Sequence, residues 1–303
     1  MANRVVVLAG GTGGAKLARG MLDVAGAGLT VIANTADDIE IYGAYVSPDP
    51  DLVTFWLADR INERGWGLRD DTFEVMDGLR EIGADVWFSL GDRDLAIGIE
   101  RAGRLAAGAR LTETLADLGT ALGVPARVLP MSDEHVRTWV RANARWLPFQ
   151  EFMIRAGGAG PVQDMQLRGV ADALPTAEVL EAIAAASAIV IGPSNPVISI
   201  GPILSVPEMR QALIDSPAPI VAVSPIVGGD VVKGPTEAFM RWAGFDASTE
   251  AVAACYAGLV DGLVADEPVD GLPVLQTDTL MTDAESRRRL ATETLQFAEG
   301  LAA

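Results

Sequence analysis

A glycine-rich loop lies near the start of the chain, between an apolar run that ends at Ala9 and a helical pattern that begins near Lys16. The loop reads Gly10-Gly11-Thr12-Gly13-Gly14-Ala15-Lys16. Because glycine lacks a Cβ atom, backbone N–H groups can approach a phosphate, and the positive end of the following helix and the charge of Lys16 both favour an anion there. The sequence therefore predicts a phosphate-binding loop. The alternative is a tight strand-to-helix turn.

Composition excludes several classes of function. The 303 residues carry a formal net charge of −18 and no basic run, so we expect no nucleic-acid partner, and an anionic ligand needs local help such as Mg²⁺. The single cysteine, Cys255, excludes an intramolecular disulfide and a multi-cysteine metal site. No apolar run reaches the roughly 18 residues of a membrane span, and no signal peptide is evident. We expect a soluble cytoplasmic protein with no membrane partner.

The hydrophobic periodicity indicates an α/β fold. Two short apolar runs at 4–9 and 29–33 flank a helical pattern at 14–24 and predict a βαβ unit, which implies a parallel sheet. Strand-like and helical runs alternate again after Pro175, with strands expected at 188–192, 220–224 and 262–265. The predicted architecture is a Rossmann-like three-layer α/β/α parallel sheet.

A smaller region separates the two halves of this sheet. Helical patterns between 52 and 122, interrupted by a strand-like run at 86–90, predict a mostly helical subdomain over 51–123. The nucleotide-binding core is then 1–50 and 124–303. Residues 137–170 mix tryptophan with glycine and proline and predict a hairpin or irregular lobe. Capping-box spacing places helix starts near Val206 and Asp283.

Polar clusters follow several predicted strands, and ligands of open α/β sheets bind at the carboxyl ends of the strands. Asn34, Asp37 and Asp38 follow the second strand. Two adjacent carboxylates beside a phosphate loop are suited to hold Mg²⁺ or to accept a proton, and the alternative is a capping role in a turn. Asp49 and Asp51 follow in a loop, where solvated turn residues are expected.

Further clusters follow later strands. The run Gly91-Asp92-Arg93-Asp94 places a guanidinium, which can donate two hydrogen bonds to a phosphate, between carboxylates. In Pro193-Ser194-Asn195-Pro196, two prolines fix a turn whose polar groups suit a base, ribose or phosphate. Residues 224–229 are a further candidate. The lone His135 is interpreted as a surface residue, and without a G-x-S-x-G turn nothing supports acyl-transfer hydrolysis.

Together these clusters resemble the 2-phospho-L-lactate transferase family (CofD, called FbiA in mycobacteria), whose members act in biosynthesis of the deazaflavin hydride carrier coenzyme F(420). The resemblance runs from Gly10 to about Asp283. It implies a Rossmann-like core with a smaller helical subdomain, Mg²⁺ dependence and a homodimer. It rests on the ordered motifs GGTGGAK (10–16), NTADD (34–38), SPDPD (47–51), LRDDTF (68–73), WFSLGDRDLA (87–96), LPMSD (129–133), FQEF (149–152), GPSNPVISIGPIL (192–204), SPIVGG (224–229), KGP (233–235) and LMTD (280–283).

The resemblance also implies a reaction. A phosphoryl-linked three-carbon acid (2-phospholactyl, enolpyruvyl-phosphoryl or 3-phosphoglyceryl) passes from a guanosine diphosphate-type donor to the terminal ribityl hydroxyl of Fo (7,8-didemethyl-8-hydroxy-5-deazariboflavin), and GMP is released. Phosphoryl transfer requires alignment of nucleophile and leaving group and neutralisation of charge. The sequence leaves open which of the three acids is transferred.

By this resemblance each cluster has an expected role. Gly10 to Gly14 and Lys16 would hold the diphosphate, and Asp37 or Asp38 would bind Mg²⁺ or take the hydroxyl proton. Arg93 would balance charge. Phe149–Phe152 would form an apolar wall or a hairpin core. The remaining predicted contacts are Ser194 and Asn195 to the guanosine side, Asp51 and Ser89 to Fo, and Asn34, Gly91, Asp92 and Asp94 elsewhere in the same site.

Two other classes of function stay open from the sequence. YvcK-like proteins share the fold superfamily and the glycine loop, bind nucleotide-sugars and act in regulation of cell-wall metabolism. The GDRD, FQE and GPSNP motifs favour the transferase over this alternative. A nicotinamide dehydrogenase is the third class, but Lys16 stands where a G-x-G-x-x-G fingerprint has its last glycine.

Overall fold

A computed structural model describes residues 4–158, 161–232 and 234–302, so Lys233 of the KGP motif lies outside the described residues. The strands are, in chain order, β1 (Val5–Ala9), β2 (Leu29–Ala33), β3 (Ile39–Ile41), β4 (Ala44–Val46), β5 (Arg127–Pro130), β6 (Arg137–Ala142), β7 (Arg145–Pro148), β8 (Asp164–Arg168), β9 (Ala188–Ile191), β10 (Ile220–Val223), β11 (Ile226–Val227), β12 (Asp230–Val231), β13 (Gly262–Ala265) and β14 (Val274–Gln276).

The helices are α1 (Gly11–Ala25), α2 (Pro48–Leu57), α3 (Glu74–Glu81), α4 (Asp92–Ala106), α5 (Leu111–Ala121), α6 (Phe149–Ile154), α7 (Ala177–Ala184), α8 (Gly201–Ser205), α9 (Met209–Ile214), α10 (Thr236–Trp242), α11 (Thr249–Cys255) and α12 (Ala284–Leu301). Short 3-10 turns lie at Gly26–Gly28 and Val170–Asp172, and a π-helical turn lies at Pro196–Ile200. No helix within the described ranges is long and apolar enough to cross a membrane.

Seven strands form one parallel sheet in the order β14-β13-β10-β9-β1-β2-β5. The adjacent strands β1 and β9 are wholly apolar and buried along their whole length. Helices α1, α2 and α12 pack in the core on one face, while α7, α9 and α11 pack in the core on the other. Alternate residues of β1 belong to the two cores, as the period of a strand requires. The predicted three-layer α/β/α parallel sheet is confirmed.

The direction of strand addition reverses between β1 and β9. From β1 the sheet continues through β2 to β5, and from β9 it continues through β10 and β13 to β14. Such a switch point leaves a crevice outside the carboxyl ends of the two central strands, where ligands of open α/β sheets bind. Here the glycine-rich segment leaves β1 and the 192–195 turn leaves β9. The fold therefore brings two predicted site segments together from opposite halves of the chain. The predicted start of the helix near Lys16 is too late, because α1 begins at Gly11 and most of the segment forms its first turns.

Smaller antiparallel sheets surround this core. Strands β6, β7 and β8 form a three-stranded sheet, which confirms the hairpin predicted within 137–170, where residues 159 and 160 lie outside the described residues. Two further hairpins pair β3 with β4 and β11 with β12. Helices α3, α4 and α5 lie in the region predicted to be helical, whereas α2 packs against α1. The division of domains at 51 and 123 stays a prediction.

Two local predictions are wrong. Residues 86–90 form no strand, because the N–H groups of Trp87 and Phe88 donate to the hydroxyl of Tyr42 and not to a neighbouring strand. The helix start near Val206 is placed three residues too early, since α8 ends at Ser205 and α9 begins at Met209. The start predicted near Asp283 is confirmed, since the Asp283 side chain caps α12.

The contact between α1 and α12 provides a test of the packing. A Cβ atom on Gly20 would lie 2.7 Å from the backbone carbon of Arg287, so Gly20→Ala forces the two helices apart. We expect this change to lower the free energy of unfolding by about 1–3 kcal/mol. Gly103→Ala on α4 is the matched control, because nothing lies within 4 Å of its added Cβ, and it should stabilise by about 0.5–1 kcal/mol. Denaturant titration compares the two, and equal effects would contradict the packing.

Candidate active site

A cavity of about 600 Å³ opens at the switch point. Its lining includes the backbone of Gly10 to Gly13, the side chains of Lys16 and Asp37, and the turn from Pro193 to Asn195. Phe149 of α6 lines it too, so the FQEF segment forms part of the wall as well as of a small core. The structure thus brings most of the predicted phosphate and guanosine residues to one cavity.

The glycine loop is held against the turn that follows β9. A Cβ atom on Gly13 would overlap the carbonyl oxygen of Pro193, and one on Gly14 would lie 2.6 Å from Ser194 Oγ. The Ser194 hydroxyl donates to the carbonyl oxygen of Gly10 at 2.6 Å. Two of the predicted phosphate-loop glycines are therefore also required for packing, and the hydroxyl of Ser194 already holds the loop in place.

Some polar groups of this cavity make no hydrogen bond within the described part of the chain. Asn195 is 9% exposed, and its Oδ1 accepts hydrogen bonds from two N–H groups of the following turn, but its Nδ2 has no partner. The Thr12 hydroxyl has none either. Lys16 Nζ donates to Met281 O at 2.9 Å. Because an unpaired buried amide is unfavourable, Asn195 is positioned to bind a polar ligand group.

Buried carboxylates lie beside the glycine loop. Asp37 lines the cavity, and its Oδ1 has no hydrogen-bond partner among the described residues. Asp38 does not line it, and its Oδ1 accepts from Ser47 Oγ at 2.8 Å. Burial raises the pKa of Asp37 well above its usual value, and the charges of Asp49 and Asp38 reinforce the shift. Burial also raises the pKa of Asp38 to about 7 against the opposing charge of Arg137. A cation would stabilise the ionised form of Asp37.

Asp49 is the site residue that sequence reasoning missed. The expected solvated turn is wrong, because Asp49 lies in the first turn of α2 and is 6% exposed. Its Oδ1 accepts from the N–H of Gly11 at 2.7 Å, and its Oδ2 accepts from Asn34 Nδ2 at 3.0 Å. Burial raises its pKa to about 6. Pro48 followed by an acidic residue is a helix-start signal that could have located it.

The chemistry of these groups fits Mg²⁺. This ion prefers oxygen ligands and is usually held by one or two carboxylates together with water and substrate phosphates. Asp37 and Asp49 both line the cavity that the glycine loop also lines. Across the residues that the structure describes, no group of three or more acidic, histidine or cysteine side chains is arranged to hold a metal. An ion held by Asp37 and Asp49 would therefore need further ligands besides these two side chains.

A second cavity, of about 290 Å³, adjoins the first and shares Pro48, Trp66 and Phe88 with it. Burial, with the charges of Asp51 and Asp71, raises the pKa of the half-buried Asp94 to about 7. Four predicted residues line this smaller cavity, namely Asp51, Ser89, Gly91 and Asp94. The predicted site is therefore divided between two neighbouring cavities.

Asp51 is held in a buried ion pair. Arg101 of α4 donates to both of its carboxylate oxygens, with one bond, from Nη1 to Oδ2, of 2.9 Å. Asp51 is 4% exposed and Arg101 is 2% exposed, and the same guanidinium donates to the carbonyl oxygen of Tyr45. The pair joins the first turn of α2 to α4 and leaves Asp51 less available to a ligand than the sequence suggests.

The carboxylate of Asp92 accepts hydrogen bonds at the N-terminus of α3. It accepts hydrogen bonds from the Thr72 hydroxyl at 2.6 Å and from the N–H groups of Glu74 and Val75, both at 3.0 Å. The bond from Thr72 is the main cause that lowers the pKa of Asp92. Asp92 therefore caps the start of α3.

Asp71 makes the reciprocal contact at the start of α4. Its carboxylate accepts from the N–H groups of Arg93 and Asp94, and a Cβ atom on Gly91 would overlap it. The side chain of Arg93 is exposed and lines neither cavity. The GDRD motif thus has a structural reason at two of its positions, Gly91 and Asp92. The contact of Arg93 with a phosphate stays a prediction.

The rim of the larger cavity comes from parts of the chain without a motif that predicts binding. Trp66, Val232 and Leu280 line the cavity although 49%, 57% and 39% of their surfaces are exposed. Single apolar residues in loops carry no sequence signal, so only the fold shows that they share one opening. His135, by contrast, lies on the surface as predicted, with its side chain 64% exposed.

Comparison with known proteins defines the family. The sequence matches the family described as 2-phospho-L-lactate transferase CofD over residues 5–293. It is 40% identical to a phosphoenolpyruvate transferase of Kitasatospora aureofaciens and 39% identical to a 2-phospho-L-lactate transferase of Methanopyrus kandleri, each over 98% of both chains. It is 38% identical to the 2-phospho-L-lactate transferase of Methanosarcina mazei, over 95% of this chain and 98% of that one.

A solved structure supports the fold. A UPF0052 family protein of Bacillus halodurans superposes with a TM-score of 0.63 at 19% identity, over 97% of this chain and 99% of that one. Fold and sequence together define an α/β transferase with a crevice at its switch point. The chain belongs to the CofD family, and it is a transferase of coenzyme F(420) biosynthesis.

The ion pair in the smaller cavity predicts the effect of a substitution. Asp51→Ala leaves the Arg101 guanidinium buried without its partner, so we expect the free energy of unfolding to fall by about 3–5 kcal/mol. Ser89→Ala, an exposed position of the same cavity, should change it by less than about 0.5 kcal/mol. Thermal denaturation of both variants tests this, and a fully stable Asp51→Ala protein would show that the pair is not structural.

Proposed function

We propose that this transferase moves a phosphoryl-linked three-carbon acid from a guanosine diphosphate-type donor to the terminal ribityl hydroxyl of Fo. The hydroxyl oxygen forms a bond to the phosphorus that carries the acid, and the bond from that phosphorus to the bridging oxygen breaks. GMP leaves with this oxygen, and the hydroxyl proton passes to a carboxylate. Dimerisation of the protein stays a prediction.

The larger cavity suits the donor. The N-terminus of α1 and the glycine loop present backbone N–H groups and a positive helix end, which favour a diphosphate. Lys16 supplies a charge on the same wall, and the unpaired Nδ2 of Asn195 supplies a donor for the nucleotide. These groups fix the phosphates by positioning and by charge, which is most of what phosphoryl transfer asks of a protein.

Asp37 is the carboxylate best placed to act on the reacting groups. Each of the two aspartates has one oxygen without a partner among the described residues, but only Asp37 lines the donor cavity, while Asp38 accepts a hydrogen bond from Ser47. Asp37, with Asp49, would hold Mg²⁺, which when bound neutralises charge on the phosphates. The raised pKa of Asp37 is also consistent with a carboxylate that accepts a proton from the attacking hydroxyl.

The observation that carries the proposal is the division of the site into two cavities with a common wall. The donor residues line the larger cavity and the residues predicted to contact Fo line the smaller one. Pro48, Trp66 and Phe88 belong to both, so a nucleophile held in one can meet a phosphorus held in the other. An apolar ring has aromatic partners in Trp66 and Phe88 at this junction.

The reaction is tested directly with purified protein, Fo and Mg²⁺. Each of the three guanosine diphosphate-linked acids is supplied in turn, and mass spectrometry identifies the adduct of Fo while chromatography measures GMP. We expect one equivalent of GMP for each adduct formed with a preferred acid. Reactions without Fo are the control. Absence of any adduct, together with thermal stabilisation by a UDP-sugar but not by GDP, would contradict the proposal and favour a nucleotide-sugar binding protein.

Asparagine substitutions separate the two adjacent aspartates. Asp37→Asn keeps the size of the side chain but removes the charge, so we expect kcat to fall by about 10²–10³. Asp38→Asn is the matched control, because Asp38 does not line the cavity and an amide oxygen can still accept from Ser47, so kcat should stay within about threefold. Steady-state rates at saturating Mg²⁺ compare kcat of the two variants with that of the unaltered protein. A larger loss in Asp38→Asn would reverse the assignment.

A further inference from the structure

The N-terminus of α1 already binds an anion, and that anion belongs to the protein. The cap residue Gly10 offers no side chain, and the first turn of α1 contains no acidic residue. The N–H of Gly11 donates instead to the carboxylate of Asp49, 38 residues away, at 2.7 Å. A carboxylate therefore stands where the phosphate-binding role of this loop requires a phosphate oxygen.

Neighbouring residues hold this carboxylate in place. Asn34 Nδ2 donates to its second oxygen at 3.0 Å, and the orientation of that amide is fixed because Asn34 Oδ1 accepts from the N–H of Ala36 at 2.9 Å. A Cβ atom on Gly10 would lie 2.9 Å from Asp49 Oδ2, so glycine at this position leaves room for the carboxylate. Residues predicted to bind substrate thus converge on Asp49.

Two other buried side chains in the wall of the larger cavity have polar atoms without a partner and indicate a ligand there. Asp37 is 7% exposed with an unpaired Oδ1, and Asn195 is 9% exposed with an unpaired Nδ2, and both line the cavity that Gly11 and Asp49 also line. A diphosphate that approached this wall would meet two carboxylates, one of which occupies the N–H group that the phosphate needs. The negative charges of the carboxylates and the diphosphate oppose binding unless the carboxylate moves or a cation lies between them.

We propose that Asp49 occupies the anion position of α1 in the free enzyme and gives up its bond to Gly11 when a divalent cation and a diphosphate bind. Asp49 then acts as a positioning residue that makes diphosphate binding depend on the metal. In the absence of a cation the carboxylate competes with the phosphate for the N–H of Gly11. This inference rests on the proposed phosphate-binding role of the glycine loop.

The test measures binding and not turnover. Calorimetry gives the affinity for inorganic pyrophosphate and for GDP, each in EDTA and in Mg²⁺. In EDTA, Asp49→Ala should bind pyrophosphate about tenfold or more tightly than the unaltered protein, because the N–H of Gly11 becomes available and a nearby charge is removed. The gain in affinity on adding Mg²⁺ should be smaller in this variant than in the unaltered protein.

Matched variants separate competition at Gly11 from a general charge effect. Asp37→Asn also removes one negative charge from the cavity wall but leaves the Gly11 bond intact, so in EDTA it should improve pyrophosphate affinity by less than about threefold. Asp49→Asn removes the charge but keeps an oxygen that can accept from the N–H of Gly11, so it should gain less affinity than Asp49→Ala. Asp49→Val, which has no acceptor, replaces the alanine variant if that protein is unstable. Melting temperatures verify that each variant is folded.

The outcomes test the role of Asp49 separately from the proposed transferase reaction. Equal or weaker pyrophosphate binding by folded Asp49→Ala or Asp49→Val in EDTA would overturn the role of Asp49, as would an equal gain in Asp37→Asn. If the Asp49 variants gain pyrophosphate affinity but no protein binds GDP, the competition at Gly11 stands and the guanosine donor is wrong. If the unaltered protein binds both ligands equally well with and without Mg²⁺, the dependence on the metal is refuted.

Discussion

The close approach of the glycine loop to the turn after β9 is the constraint on which the site depends. Strands β1 and β9 are adjacent in the sheet although 178 residues or more separate them in sequence. The absence of a side chain at Gly13 lets the loop meet the carbonyl of Pro193, and the Ser194 hydroxyl bonds to the loop. Any larger residue at position 13 would separate the two walls of the crevice. Packing therefore requires glycine at a position where the proposed binding of a phosphate would favour it too.

The net charge of −18 makes anion binding a local problem for this chain. The protein field as a whole repels a diphosphate, and the cavity wall adds Asp37 and Asp49 to that repulsion. The attractive groups are backbone N–H groups, a helix end, one lysine and an unpaired amide, most of which carry no net charge. Under the proposed function, such a site would distinguish an anion that arrives with a metal from one that arrives alone. The two buried acids would then give the selectivity, and the glycine-rich segment would give the position.

Much of the fold could be predicted because its signals are local. The apolar runs at β1, β2, β9, β10 and β13 are short, buried on both faces and separated by helical patterns, and each was located to within about a residue. The 86–90 segment shows where this reasoning fails. Its apolar sequence is typical of a strand, but in the described part of the chain it pairs with no strand, and the Tyr42 hydroxyl accepts from the N–H groups of Trp87 and Phe88. Pairing is a property of the fold and not of the segment.

The candidate site also has residues that the sequence could predict and residues that it could not. The glycine loop, Asp37 and Asn195 could be predicted because they follow strands at the edge where ligands bind. The roles of Asp92 and Asp51 could not be predicted. An aspartate in a motif looks the same in the sequence whether it binds a ligand, caps a helix as Asp92 does, or pairs with an arginine as Asp51 does. Asp49 was missed because its segment resembles a solvated turn, whereas in the structure it forms the buried first turn of α2. Only burial and hydrogen-bond partners distinguish these cases.

The first turn of α2 connects the two cavities mechanically. Pro48 lies in the shared wall, Asp49 faces the larger cavity, and Asp51 lines the smaller one, all within four residues of one helix. The Asp51 and Arg101 pair fixes this turn to α4, while α2 itself packs against α1, whose N-terminus carries the glycine loop. A helical turn is rigid over this length, so the separation between the two sites is set by the backbone of α2. If Asp49 leaves Gly11 as we propose, the movement is a rotation of its side chain, because displacement of the turn would break the buried ion pair of Asp51 and Arg101.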